Sequence, residues 1–332
     1  MRAILVNEFG GPECLEPVEL PDPVPGPGEV LIAISAAGVN RADALARSGG
    51  YHGAGRPPLR LGLEGAGTVA GLGTGVTEPA VGSRVVAVGA TNEPGFYAQL
   101  AVVPADRVVA VPDGVDLIVA AALPTAWLTA WYCLRRLADV HPGETVLVHA
   151  AASGVGSAAV QIARDAGARV IGTARSPDKT AWVTGQGAQA ALDTSALDSD
   201  RLLEEIGRLT DGRGPDIVLD TVGGRTFADS LRVVGYAGRV VALANVALAP
   251  SLIDTRDFYP KNVRILGFQI TGLMEHGYDP RPDLRELLEA VAAGRFTVPV
   301  DATFDLADAA DAHRHLEQRA NRGKVMLTVR PR

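Results

Sequence analysis

The stretch Thr145-Val146-Leu147-Val148-His149-Ala150-Ala151-Ala152-Ser153-Gly154-Val155-Gly156 decides the fold. A short apolar run, Thr145–His149, has the character of a buried strand. It leads through small residues into Ser157–Ala166, where Ala159, Ile162 and Ala163 fall on one side of a helix. Strand, turn of small residues and helix, in that order, make a phosphate-binding turn. Small side chains let the backbone approach a pyrophosphate, and the free N–H groups and positive dipole of the helix N-terminus stabilise the anion. Gly-x-Gly alone would say little; the flanking strand and helix give it the context it requires.

Downstream, strands and helices alternate. The strands are Arg169–Gly172, Ala190–Leu192, Asp216–Asp220, Arg239–Leu243 and Ile265–Phe268. The helices are Pro177–Gln186, capped by Ser176, then Arg201–Leu209 and Thr226–Val234. About six strands with intervening helices predict an α/β unit built on a doubly wound parallel sheet, the Rossmann arrangement. Upstream, the breakers Pro21, Pro23, Pro25, Gly26, Pro27 and Gly28 precede Val30–Ala37. Further short runs follow at Gly67–Gly71, Arg84–Val88, Ala98–Val103 and Val108–Val111. This spacing predicts a mostly antiparallel β domain over the first 120 or so residues. Beyond 270 come a helix at Leu284–Ala292, a strand at Val300–Phe304, a helix at Asp308–Gln318 and a strand at Lys324–Val329. So short a tail is expected to return to the first domain. The expected division is 1–124 completed by 270–332, with 125–269 inserted.

The dinucleotide is chosen about 20 residues after the turn, where an Asp or Glu would bind a ribose 2′-hydroxyl. This chain reads Ile171-Gly172-Thr173-Ala174-Arg175-Ser176-Pro177-Asp178-Lys179. No acid ends the strand, Asp178 lies inside the helix start, and Arg175, Ser176 and Lys179 suit a 2′-phosphate. NADPH is expected, the alternative being a solvated basic patch. A net charge of -7 leaves no excess of cations to neutralise nucleic-acid phosphates. Two cysteines, Cys14 and Cys133, far apart in sequence, fit reduced thiols. No signal peptide or membrane-length apolar run is visible, so a cytoplasmic protein is expected.

The stretch His149–Gly167, with Gln161, resembles the zinc-independent medium-chain dehydrogenases/reductases, specifically the quinone oxidoreductase (zeta-crystallin-like) family. So do Ala37-Gly38-Val39-Asn40-Arg41-Ala42-Asp43, Arg47-Ser48-Gly49-Gly50-Tyr51, Gly62-Leu63-Glu64-Gly65-Ala66-Gly67, Leu128-Thr129-Ala130 and Pro142-Gly143-Glu144. The resemblance runs nearly end to end. It implies a GroES-like β domain carrying an inserted Rossmann domain, an active site in the cleft between them, and a homodimer or homotetramer.

It further implies catalytic roles for Asn40, whose amide would also lie by the nicotinamide, and for Tyr51. Asp43 and Glu64 would be structural. Cofactor contacts would come from Thr129, Ser153, Gly154, Val155, Gly156, Thr173, Arg175, Ser176, Lys179, Thr194, Val222, Leu243, Ala244, Asn245, Gly267, Phe268, Gln269 and Arg319. Two positions depart from the family. Thr194 stands where relatives often place Tyr over the adenine, and Leu45 replaces a second cleft tyrosine, which hints at a greasier substrate.

Zinc-dependent relatives have Cys where this chain has Asn40 and His where it has Leu63, and catalytic zinc needs about three such ligands. The histidines, His52, His141, His149, His276, His313 and His315, form no cluster in the sequence. His313 and His315, two apart on a helix, read as surface residues. Neither zinc nor another metal is expected. The expected activity is NADPH-dependent reduction of a quinone or related conjugated carbonyl. The alternatives are an enoyl reductase acting on enones or enoyl thioesters, and an NADPH-binding sensor or crystallin-like protein.

Overall fold

The computed structural model describes residues 1–330; Pro331 and Arg332 lie outside the described residues. The chain opens with β1 (Arg2–Val6), β2 (Leu15–Glu19) and β3 (Glu29–Val39), followed by α1 (Arg41–Arg47). Then come β4 (Glu64–Leu72), β5 (Arg84–Val88), β6 (Leu100–Pro104), β7 (Val108–Ala110), α2 (Leu117–Ala121) and α3 (Ala126–Trp131), the last continuing as a π-helical turn. The alternating part is β8 (Thr145–Val148), α4 (Gly154–Asp165), β9 (Arg169–Ala174), α5 (Pro177–Gly185), β10 (Ala190–Asp193), α6 (Ser199–Leu209), β11 (Ile217–Asp220), α7 (Arg225–Val233), β12 (Arg239–Ala242) and β13 (Arg264–Gly267). The tail is α8 (Ile270–Glu275), α9 (Arg281–Ala292), β14 (Val300–Asp305), α10 (Ala309–Glu317) and β15 (Lys324–Thr328). Two compact units result: Met1–Leu128 with Thr271–Arg332, and Thr129–Ile270.

In the first unit the tail rejoins the β domain through strand pairing. β15 runs antiparallel to β3, with Val325 opposite Val39 and Thr328 opposite Ala36. The sheet order is β14-β15-β3-β4-β5-β7, with β6 also on β3. Strand β3 alternates half-buried and buried residues from Glu29 to Ala36, as a one-sided sheet requires, and is buried throughout from Ala36 to Val39. Its inward Val30, Ile32 and Ile34 share a core with Val69, Val85, Val103, Val325 and Leu327.

The sequence reading missed α1 and α2 in this unit. Seven residues, Arg41–Arg47, are under two turns and too few to show an apolar stripe. Their helix is set instead at its N-terminus, where the Asp43 carboxylate accepts the Asn40 N–H at 2.8 Å. α2 is capped the other way round, its N-cap Asp116 carboxylate accepting the Ile118 N–H at 2.7 Å.

His313 corrects a second expectation: it is fully buried rather than superficial. Ala309, Ala312, His313 and Leu316 form the inward face of α10. Arg47 Nη1 lies 3.4 Å from His313 Nδ1, and the Tyr97 hydroxyl lies 3.1 Å from Nε2. An arginine only donates, so Nδ1 accepts and Nε2–H donates to Tyr97. Burial, with Arg47 and Arg41 adding, holds the imidazole neutral by lowering its pKa to about 3. His315 is half-buried and meets Asp301 at 2.7 Å.

The second unit is a six-stranded parallel sheet in the order β10-β9-β8-β11-β12-β13. The order in which successive strands are added reverses between β8 and β11, which themselves run parallel, and this switch point is where such sheets bind ligands, at the carboxyl ends of the strands. All four residues of β8 and of β11 are buried, because helices cover both faces of the sheet. Leu147, Ile171, Val218 and Val240 pack with Leu202, Ile206 and Leu231 on one side.

Candidate functional site

The phosphate turn leaves β8 at its carboxyl end. Thr173, on the neighbouring β9, holds it in place. The Thr173 carbonyl accepts the Ala151 N–H at 2.8 Å, and its hydroxyl lies 3.3 Å from the Ala150 nitrogen and 3.1 Å from His149 Nδ1. Thr173 is thus buried within the support of the turn. Ser153 is the N-cap of α4 and its hydroxyl accepts the Gly156 N–H at 3.0 Å. The N–H groups of Gly154 and Val155, in the first helical turn, remain for an anion. At Gly156 a Cβ would lie 2.4 Å from the Ala150 carbonyl oxygen, so only glycine permits this close turn. These residues fit a dinucleotide pyrophosphate.

Further expected residues gather at the same edge of the sheet. The exit of β9 presents an exposed Arg175 and the helix cap Ser176, whose hydroxyl accepts the Lys179 N–H at 3.3 Å. Val222 follows β11, Leu243 to Asn245 follow β12, and Gly267 to Gln269 end and follow β13. Thr194 spends its hydroxyl locally, donating to the Ala174 carbonyl at 3.0 Å. Asp220, not singled out from the sequence, shapes the β11 turn. One oxygen accepts the Val222 and Gly223 N–H groups at 2.7 and 2.9 Å, and the other accepts the Ser230 hydroxyl at 3.0 Å. The pattern Asp-x-x-Gly after an apolar strand was the available signal. His149 is buried beneath the turn, where desolvation lowers its pKa against the pull of Asp220 and Asp229.

Asn40, Tyr51 and Arg319 belong to the other unit, whereas Thr129 is the first residue of this one and is buried. Tyr51 is half-buried against the β core. Arg319 sits exposed after α10 in the left-handed region, at φ 56°. Asn40 is the centre of a buried charge network. Its Nδ2 donates to Glu64 Oε1 at 2.8 Å and its Oδ1 accepts Lys324 Nζ at 2.6 Å. Lys324 Nζ also bonds Glu64 Oε1 at 2.5 Å, and Glu64 Oε2 accepts the Thr125 N–H at 2.6 Å. Glu64 and Lys324 side chains are 0% and 3% exposed, so each charge is held by its partner and not by water. Gly38 makes room for this, since a Cβ there would lie 2.0 Å from Glu64 Oε1.

Asp43 completes the loop by accepting the Gly62 N–H at 3.0 Å in addition to that of Asn40. Burial raises its pKa to about 7, aided by Glu64 and opposed by the two N–H bonds and Lys324. Lys324 was missed as a site residue. Its signal was a charge heading the apolar run Val325-Met326-Leu327, because a lysine is rarely buried unpaired. Among the described residues no group of three His, Cys, Asp or Glu is placed to hold a metal ion.

Comparison with known proteins places these features in context. A family model described as an alcohol dehydrogenase GroES-like domain matches residues 26–113, and one described as a zinc-binding dehydrogenase matches 154–293. A quinone oxidoreductase from Pseudomonas aeruginosa is 35% identical over 98% of this chain and 99% of its own length. The crystal structure of Escherichia coli quinone oxidoreductase complexed with NADPH superposes with a TM-score of 0.91 at 30% identity, covering 99% of this chain and 100% of that one. The CurK enoyl reductase superposes with a TM-score of 0.87 at 28% identity, covering 99% of each chain.

Proposed function

The chain belongs to the quinone oxidoreductase family of medium-chain dehydrogenases/reductases, and from that premise we propose that it transfers hydride from NADPH to a quinone or related conjugated carbonyl, without zinc. When bound, the dihydronicotinamide supplies the hydride; the protein supplies orientation and electrostatics. The open N–H groups of Gly154 and Val155 hold the pyrophosphate, and Arg175, Ser176 and Lys179 hold the 2′-phosphate. Of the other cofactor contacts expected from the family, Val222, Leu243 to Asn245 and Gly267 to Gln269 share that edge of the sheet.

The observation that carries the reading is the amide at position 40. Its Nδ2 spends one N–H on Glu64 and keeps the second for a carbonyl oxygen that gains negative charge as hydride arrives. A neutral amide at 40 and an apolar Leu63 offer no ligand set for a metal. Tyr51 or water supplies the proton.

A second reading, reduction of a conjugated C=C bond, is favoured by the likeness to CurK enoyl reductase and would use the same residues. The working form is proposed to be a homodimer. This is supported by β13, an edge strand of the parallel sheet that leaves Ile265 exposed, with Leu252 and Tyr259 exposed nearby in sequence. No helix among the described residues is long and apolar enough to cross a membrane.

The test is NADPH oxidation with a benzoquinone and, separately, an α,β-unsaturated ketone, each repeated with NADH. Turnover of the quinone with NADPH supports the first reading, and turnover of the enone alone moves the chain to the second. Equal rates with NADH reject the 2′-phosphate site, and turnover of neither acceptor rejects both readings.

A further inference from the structure

We propose that Lys324 is a positioning residue for Asn40: with Glu64 it fixes which end of the Asn40 amide is held inside, so that an N–H and not a carbonyl oxygen is offered to the acceptor. The inference rests on the reading of Asn40 as the acceptor-facing amide and extends it to a residue 284 positions away in the sequence.

An asparagine amide has two ends of nearly equal size and can turn over about its terminal bond. Only one end helps a developing oxyanion; the other repels it. The neighbours of Asn40 remove the choice. An ammonium can only donate and a carboxylate can only accept. Lys324 Nζ therefore requires an oxygen at 2.6 Å, and Glu64 Oε1 requires a nitrogen at 2.8 Å. A turned amide would face its oxygen to the carboxylate and its nitrogen to the ammonium, two repulsive contacts in a place closed to water. The backbone at Asn40 is fixed separately, by Asp43, so that the amide is the only part left to orient. Lys324 also neutralises Glu64, whose unpaired charge would otherwise oppose the negative charge gathering on the acceptor.

The experiment is a double-mutant cycle between Lys324 and Asn40, read on the acceptor that the wild-type enzyme reduces. Because Lys324→Met leaves Glu64 buried without a counter-charge, Lys324→Met/Glu64→Gln, which leaves no unpaired charge, is made alongside. Expected is a fall in kcat of about 100-fold in both, by analogy with loss of an oxyanion donor. NADPH Kd, from quenching of protein fluorescence, should stay within about two-fold. In an Asn40→Ala background Lys324→Met/Glu64→Gln, which leaves no bare Glu64 charge, should cost nothing further, since Lys324 orients the acceptor-facing group through Asn40. An undiminished loss in that background, or no loss in either variant, overturns the proposal.

A second readout needs no turnover. With ¹⁵N-labelled asparagine, the side-chain NH₂ signal that vanishes in Asn40→Ala is assigned to Asn40. Its Glu64-bound proton should exchange slowly with solvent in the wild type and fast in Lys324→Met/Glu64→Gln; equal exchange in the two overturns the proposal. A wild-type enzyme that reduces neither acceptor rejects the proposed function, and this signal still decides the orientation.

Discussion

The phosphate turn and the Asn40 site solve the problem of holding a negative charge in opposite ways. In the turn, the useful groups are backbone N–H atoms, and the side chains matter mainly by being small: Gly156 clears the Ala150 carbonyl and Ser153 caps the helix. Every part except the Thr173 brace lies within a dozen residues. At Asn40 the useful group is one side-chain N–H, oriented by charges that come from β4 and β15. The first device is local and neutral, and the second is dispersed and ionic. Each should therefore fail in its own way.

The sharpest break is at the turn. A Gly156→Val side chain must displace the Ala150 backbone, and the expected result is an NADPH Kd at least about 100-fold weaker, close to 3 kcal/mol. Because the ionic site lies in the other unit, residual turnover at saturating NADPH should keep its acceptor KM. Fluorescence titration and steady-state rates check both. A turn that tolerates valine would undo the contrast.

That contrast also explains what the sequence disclosed. The parallel sheet was legible because its central strands, β8 and β11, are buried apolar runs and the turn is contiguous; even the Ser176 cap could be read from Ser-Pro ahead of a helix. The Asn40 site was half legible. Asn40, Asp43 and Glu64 stand in recognisable stretches, but Lys324 has no local feature that points 284 residues back. The misplacement of His313 has the same origin. Two histidines at i and i+2 were compared only with each other, whereas the spacing of Ala309, Ala312, His313 and Leu316 sets one of them on the inward face.

The next effect belongs to the ionic unit alone. Asp43 is raised from 3.8 to about 7, so the folded state binds more protons across that window and stability falls as pH rises through it. His313 is lowered from 6.5 to about 3, so the unfolded state binds more protons and stability rises with pH across its window. The two slopes oppose one another from about pH 4 to 6.5, and the wild type should be nearly flat there. Asp43→Asn removes one of them. The unfolding free energy of that variant, from urea titrations, should then climb with pH by roughly 1.4 kcal/mol per unit. A flat profile would place the balance elsewhere.

The smallest effect is at the β9 exit. Arg175→Ala should narrow the preference for NADPH over NADH by about ten-fold, or 1.4 kcal/mol, with Lys179 retaining part of the contact. An unchanged preference would shift the 2′-phosphate to other residues and leave the turn purely a backbone device.

The return of β15 to β3 has a consequence for how the protein is made. On the ribosome, residues 129–270 are complete before Lys324 exists, so the parallel-sheet unit can fold during synthesis while the β unit waits. During that interval Glu64 has its place in β4 but no counter-charge, and β3 lacks the neighbour that will pair with Ala36–Val39. A nascent chain paused before residue 324 would thus carry a finished dinucleotide fold beside an open sheet edge. Its exposure to chaperones and proteases would end only when the final strand arrives.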